Sequence, residues 1–166
     1  EPLPPGEVGE IAADSDNPAI FEEYWNRPEK TQEVSLDDWH LTGDLGWRDE
    51  DGYFYFESRK DDVIISSGYR IGPEEVESAI LEHPDVEDVG VIGVPHDTRG
   101  KVVKAYVQPA PGVTPNDTLR TSIQELVRDD LAKYEYPREI EYIDELPKTS
   151  SGKVQRNKLE ELDEQS

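Results

Sequence analysis

Asp62-Val-Ile-Ile-Ser-Ser-Gly-Tyr-Arg-Ile-Gly-Pro-Glu-Glu-Val-Glu-Ser-Ala-Ile-Leu-Glu-His-Pro84 holds a strand, a turn and a helix in one short stretch. Asp62 to Ser66 is an apolar, β-branched run of strand length, and Ser67-Gly68-Tyr69-Arg70 reads as a tight turn. Pro73 stands where a first helical residue tolerates the missing N–H, and Val76, Ile80 and Leu81 then share one face until His83-Pro84. Outward from there the alternation continues. Val86 to Val94 and Lys101 to Gln108 are β-branched runs that fit a strand pair. Thr114-Pro-Asn-Asp caps a second helix with a stripe of Leu119, Ile123, Leu126, Val127 and Leu131. Ile140-Glu-Tyr-Ile is a last strand, and Lys153 to Leu162 ends in a short helix before an acidic tail. Strands interleaved with helices predict an α+β domain over residues 61–166, a small mixed or antiparallel sheet with flanking helices.

Residues 1–60 have another character. They are rich in Pro, Gly and Trp, with short β-like runs at Val8-Gly-Glu-Ile-Ala and Tyr53-Phe-Tyr-Phe-Glu, the latter just after the hairpin signal Asp51-Gly52. This region is too small to bury a core of its own and is expected to be a β-rich remnant of a larger domain. Trp25, Trp39 and Trp47 are expected to be packing residues.

Seventeen basic residues face 39 acidic ones, a net charge of −22. That balance excludes nucleic-acid binding, which needs basic surface to neutralise phosphates. A basic partner would fit it, and so would an organism with molar cytoplasmic salt. The acids are spread through every segment, which favours the salt-adapted, halophilic reading. No run is long and apolar enough to span a bilayer, and the first residues lack the basic and apolar regions of a signal peptide. Without Met anywhere, the chain reads as an excised piece of a longer, cytoplasmic protein. Without Cys, disulfides, thiolate metal sites and a Cys nucleophile are excluded. His40, His83 and His96 show no ligand spacing, so no metal site is expected.

Four constellations carry chemistry. In Leu41-Thr42-Gly43-Asp44 a glycine allows a sharp turn, and the aspartate beside it suits two adjacent hydroxyls such as those of a ribose, though a Gly-Asp pair is also a plain turn signal. In Ser58-Arg59-Lys60-Asp61, continuing through Ser67-Gly68-Tyr69-Arg70 to Gly72-Pro73, two arginines and a lysine bracket a glycine turn in a chain poor in positive charge. Their clustering points to an anion, and the alternative is a set of surface ion pairs. Pro147-Lys148-Thr149-Ser-Ser-Gly152-Lys153 presents Lys153 at the tip of a loop, a point charge for phosphate oxygens. A P-loop is excluded because the upstream glycine is absent and Val154 follows the lysine. Finally, Pro95-His-Asp-Thr-Arg99-Gly-Lys101 is a basic turn, equally readable as an ordinary hairpin connection.

In this order the segments resemble the adenylate-forming superfamily of acyl- and aryl-CoA synthetases, luciferases and peptide-synthetase adenylation domains. Thr42-Gly43-Asp44, Arg59-Lys60-Asp61-Asp62, Pro147-Lys148-Thr149 and Gly152-Lys153 carry the resemblance. Ser66 to Pro73 and Lys133-Tyr-Glu-Tyr-Pro-Arg138 look most like medium-chain or acetyl-type synthetases, while Ser58 stands where the family usually has glycine.

The resemblance implies the last stretch of a large AMP-binding domain (1–60) and a mobile C-terminal lid (61–166) hinged at Asp61. It implies conversion of a carboxylic acid, ATP and CoA to acyl-CoA, AMP and pyrophosphate through an acyl-adenylate, a step of fatty acid metabolism. Lys153 is then the catalytic cation; Asp44, Arg59 and Arg70 bind nucleotide; Ser67, Gly68, Tyr69, Arg99 and Arg128 bind CoA. Mg2+ accompanies ATP, with its ligands outside these residues, as are the phosphate loop and acyl pocket of the missing N-terminal domain. The fragment alone is therefore expected to be inactive. An adenylation domain that loads a carrier protein, and a non-catalytic CoA- or nucleotide-binding module, remain as alternatives.

Overall fold

In a computed structural model that describes residues 2–165, the chain divides into two compact units, Glu1–Asp61 and Asp62–Ser166.

The first unit is a four-stranded antiparallel sheet, with β1 (Gly9–Asp14), helix α1 (Pro28–Glu33), β2 (Ser35–Leu36), β3 (Trp39–Arg48) and β4 (Phe54–Arg59). β3 is its spine: β1 runs along one edge, and β2 then β4 share the other. Strand alternation here has little to bury. Leu45 and Ser58 are enclosed, whereas Tyr53, Phe54, Tyr55 and Phe56 are all exposed. Of the tryptophans expected to pack, Trp47 stacks on Tyr55 with ring centroids 4.4 Å apart, but Trp25 is 86% exposed. Nothing within this unit is large enough to cover it. Ser58 keeps ordinary strand backbone inside β4, with no positive φ for a glycine to relieve.

The second unit is a mixed five-stranded sheet built from β5 (Ile64–Ser66), β6 (Tyr69–Ile71), β7 (Val86–His96), β8 (Gly100–Pro109) and β9 (Glu139–Tyr142). Helices α2 (Pro73–Leu81), α3 (Asp117–Asp130) and α4 (Arg156–Glu164) flank it. β7 and β8 form a long antiparallel hairpin, and the crossover through α3 brings β9 parallel to β8. Period-2 alternation divides two cores. Val89, Val91, Val103, Ala105 and Val107 point to α2 and α3, where they meet Val76, Ile80, Leu119, Ile123 and Val127. Ile92, Val94, Val102 and Tyr106 point the other way, to Leu146 and Leu159 of α4. Covered faces on both sides explain why these strands read as continuous apolar runs.

Two details differ from the sequence reading. The turn is only Ser67-Gly68, both with positive φ (51° and 86°), so Tyr69 to Ile71 is free to pair as β6. Leu81 is 47% exposed, because Pro73, Val76, Ala79 and Ile80 define the buried face of α2 and Leu81 falls a step around from it. Asn116 caps α3, its Oδ1 accepting the Leu119 N–H at 2.8 Å.

Candidate functional site

In the first unit, Asp44 and Arg59 are direct cross-strand partners on β3 and β4. Arg59 Nη1 donates to Asp44 Oδ1 at 2.6 Å and to the Thr42 carbonyl at 2.9 Å. Gly43 makes this possible. Its φ is +75°, and a Cβ there would sit 2.8 Å from Arg59 Nη2. Thr42 is fixed in turn, with Oγ1 donating to the Ile11 carbonyl at 2.8 Å and accepting the Asp44 N–H at 3.1 Å. The half-exposed Asp44 carboxylate is thus oriented by a guanidinium and a threonine. Lys60 follows with an ion pair to Glu10 at 2.7 Å, which raises the ammonium above the ordinary lysine range.

In the second unit, three segments meet at the start of β8. Ser67 donates its backbone N–H to the Arg99 carbonyl at 2.9 Å, and Arg99 Nη1 donates back to Ser67 Oγ at 3.2 Å. The Ser67-Gly68 turn and the Pro95–Lys101 turn are therefore one structure. Tyr69 stacks on Tyr134 at 4.1 Å between centroids, joining the segment before Pro137 to it. Arg70 lies on β6 opposite Ile65, exposed. Arg128, in the last turn of α3, lies on the face of the Tyr136 ring at 4.2 Å, with Arg138 at 5.0 Å from the same ring.

The Lys153 loop is more ordered than its small residues imply. Gln155 N–H donates to the Pro147 carbonyl, Lys148 bridges to Val154, and Thr149 N–H donates to the Lys153 carbonyl at 2.8 Å. Thr149 Oγ1 accepts the Lys153 N–H at 3.1 Å, so one threonine holds both backbone groups of the lysine. Gly152, at φ +85°, closes the turn. Lys153 consequently sits on the returning limb, not at the tip, which Ser150 and Ser151 occupy. Its side chain is exposed, while Lys148 pairs with Asp88, which raises its ammonium above the ordinary lysine range.

Residues 75–153 match the profile of the AMP-binding enzyme C-terminal domain. They belong to that family.

The C-terminal domain and the strands before it are together 48% identical over 161 residues to an uncharacterised acyl-CoA ligase, YtcI, of Bacillus subtilis, covering 97% of this chain and 30% of that protein. They are 50% identical over 162 residues to the mitochondrial acyl-coenzyme A synthetase ACSM3 of Rattus norvegicus, covering 95% and 28%. Among solved structures, o-succinylbenzoate CoA synthetase of Bacillus subtilis with its acyl-adenylate intermediate superposes with a TM-score of 0.84 at 36% identity, over 95% of this chain and 31% of that one. The chain spans under a third of the length of the proteins it matches. It corresponds to the C-terminal part of acyl-CoA synthetases and related adenylate-forming enzymes.

Sequence reasoning gave no role to Arg156, to Tyr134 or to Lys104. Arg156 bonds Asp62, Glu74 and Glu77, and the only signal in the sequence was a basic residue just beyond the Gly-Lys pair. Lys104, nearly buried in β8, meets Asp163 of α4 at 2.5 Å and Glu141 of β9 at 2.8 Å. Burial works to lower the Lys104 pKa, but the bonds to Asp163 and Glu141 prevail and hold it above the ordinary value. Among the described residues, no cluster of His, Cys, Asp or Glu fits a metal ion, and no helix is long and apolar enough to cross a membrane.

Proposed function

We propose that the chain is the C-terminal part of an AMP-forming acyl-CoA synthetase, an acid–thiol ligase, and that Lys153 is its adenylation cation. A carboxylate oxygen attacks the α-phosphorus of ATP, pyrophosphate leaves, and an acyl-adenylate forms. The CoA thiolate then attacks the acyl carbon and AMP leaves. The observation that carries this reading is Lys153 itself: an exposed ammonium on a limb whose backbone is clamped by Thr149, inside the AMP-binding C-terminal domain. A cation so placed is suited to negative charge growing between carboxylate and α-phosphate.

The other roles rest on the resemblance, carried over by motif. Asp44, held by Arg59, accepts the ribose hydroxyls, and Arg70 faces nucleotide phosphate. Ser67, Gly68, Tyr69 and Arg99 face the pantetheine arm, with Arg128 toward the CoA nucleotide. Residues 1–60 complete the large AMP-binding domain, and 61–166 form a lid that turns about Asp61 between the half-reactions. Mg2+ enters with ATP and is held by residues outside this chain, so the chain alone is inactive. Its place is fatty-acid metabolism in a salt-rich cytoplasm, on the strength of a net charge of −22; the rat relative is mitochondrial.

The test uses the full-length protein to which these residues belong. Acid-dependent exchange of pyrophosphate into ATP, followed by CoA-dependent release of AMP across acids of increasing chain length, is the expected result. Exchange without any response to CoA would point to another acceptor, and no exchange with any acid would remove the proposal.

A further inference from the structure

Arg156 opens α4, three residues beyond Lys153. Its side chain is 17% exposed and bonds three carboxylates on two other segments, the approach to β5 and helix α2. Nη1 meets Asp62 Oδ2 at 2.9 Å and Glu74 Oε1 at 3.1 Å, and Nη2 meets Glu77 Oε2 at 2.8 Å. Glu77 is itself anchored, since its Oε1 accepts the Val91 N–H at 2.8 Å. A chain of bonds therefore runs from β7 through α2 to the guanidinium, and from there to the residue that begins the second unit.

Such a hub is an inefficient way to dock a helix. Burial works against the Arg156 cation, and Glu77, Glu74 and Asp62 must overcome it to keep the guanidinium charged. Burial also raises Glu77 above the ordinary carboxylate range, against the pull of the same arginine. Docking is already supplied elsewhere: Leu159 is fully buried, and Lys104 ties down Asp163 near the far end of α4. A planar, multidentate guanidinium adds direction, which a greasy contact does not. The direction it fixes is that of the limb carrying Lys153, which is otherwise held to the outgoing limb by the Thr149 clamp, the Lys148–Val154 bridge and the Gln155–Pro147 hydrogen bond.

We propose that Arg156 is a positioning residue for Lys153. The guanidinium sets where the returning limb leaves the domain, and ties it to Asp62, next to the Asp61 joint. This rests on the adenylation role proposed for Lys153. A lysine whose ammonium is misplaced by about 1 Å loses up to roughly 100-fold in rate.

The test measures both half-reactions in single turnover on the full-length protein, alongside thermal melts. Arg156→Gln is expected to slow adenylate formation by at least roughly tenfold, with little change in KM for ATP, and to leave thioester formation from supplied acyl-adenylate within about twofold. Arg156→Lys keeps the charge but not the fork. It is expected to recover most of the melting temperature and little of the adenylation rate. If Arg156→Gln does not fold, Arg156→Lys carries the comparison alone. Adenylation that follows melting temperature across the variants, or equal loss in both half-reactions, would overturn the proposal in favour of a purely structural arginine. If wild type forms no adenylate, or Lys153→Ala forms it normally, the underlying reading fails. If both behave as expected and the Arg156 variants are normal, this inference alone fails.

Discussion

Gly90 is the floor beneath the Lys153 loop. It lies on β7 opposite Tyr106, and a Cβ there would stand 2.5 Å from Leu159 Cδ1, 2.9 Å from Val154 Cγ1 and 3.5 Å from Leu146 Cδ2. Gly90→Ala must therefore push Leu159 and Val154 outward by about 1 Å to reach ordinary carbon–carbon contact. Overpacking of this kind costs about 1–3 kcal/mol, and the entropy lost by the unfolded chain returns about 0.4–1 kcal/mol. The net, about 1–2 kcal/mol, corresponds to a fall of roughly 5–10 °C in Tm for a domain near this size. Gly93→Ala is the control on the same strand. Its Cβ faces Ile64 and the flexible Lys101 at 3.0 Å, on the opposite sheet face. Thermal melts and amide chemical shifts of the two variants separate the cases. Gly90→Ala should move amides from Lys148 to Leu159, and Gly93→Ala should not. An unchanged Tm, or shifts centred on α2 and α3, would mean that Gly90 does not pack against Leu159 and Val154 in this way.

Burial holds the Glu135 carboxyl above its ordinary range, with the Ala132 N–H opposing and the Glu75 charge adding to the rise. A raised acid favours the folded state below the unfolded pKa and loses that contribution as pH climbs through the folded one. Glu135→Gln should therefore melt higher than wild type near pH 7 and match it below about pH 4; equal melting at both pH values would contradict this. With net charge −22, the chain should gain stability between dilute and molar KCl, as the Debye length falls from about 10 Å to about 3 Å. A salt-independent melt would remove the halophilic reading. Asp61→Pro in the full-length protein should retain adenylation and lose thioester formation by orders of magnitude, because proline fixes φ near −65° and restricts Lys60. Full activity in both steps would move the pivot elsewhere.

The β7–β8 hairpin and the α3 stripe were legible because burial on a sheet or helix face imposes a period on the sequence. Three-residue β6 was hidden, since Tyr69-Arg-Ile carries no alternation long enough to compete with the glycine turn before it. The position of Lys153 on its limb depends on Thr149 bonding both backbone groups of the lysine, a pairing that composition does not announce. Arg156 was least legible of all, because its bonds to Asp62 and Glu77 span 94 and 79 residues. The pairing of Asp44 with Arg59 also crosses strands, although both motifs were visible separately. Trp25 shows the opposite failure: a residue type that normally packs stands in solvent where its own unit offers no cover.

If Lys153 serves adenylation alone, the two half-reactions must respond differently to its loss. Single-turnover measurement of both in the full-length protein carrying Lys153→Ala reads that difference. Adenylate formation should slow by at least about 100-fold, a loss on the order of 3 kcal/mol of transition-state stabilisation, while thioester formation from supplied acyl-adenylate is largely spared. Equal loss in the two half-reactions, or no loss in the first, would contradict it.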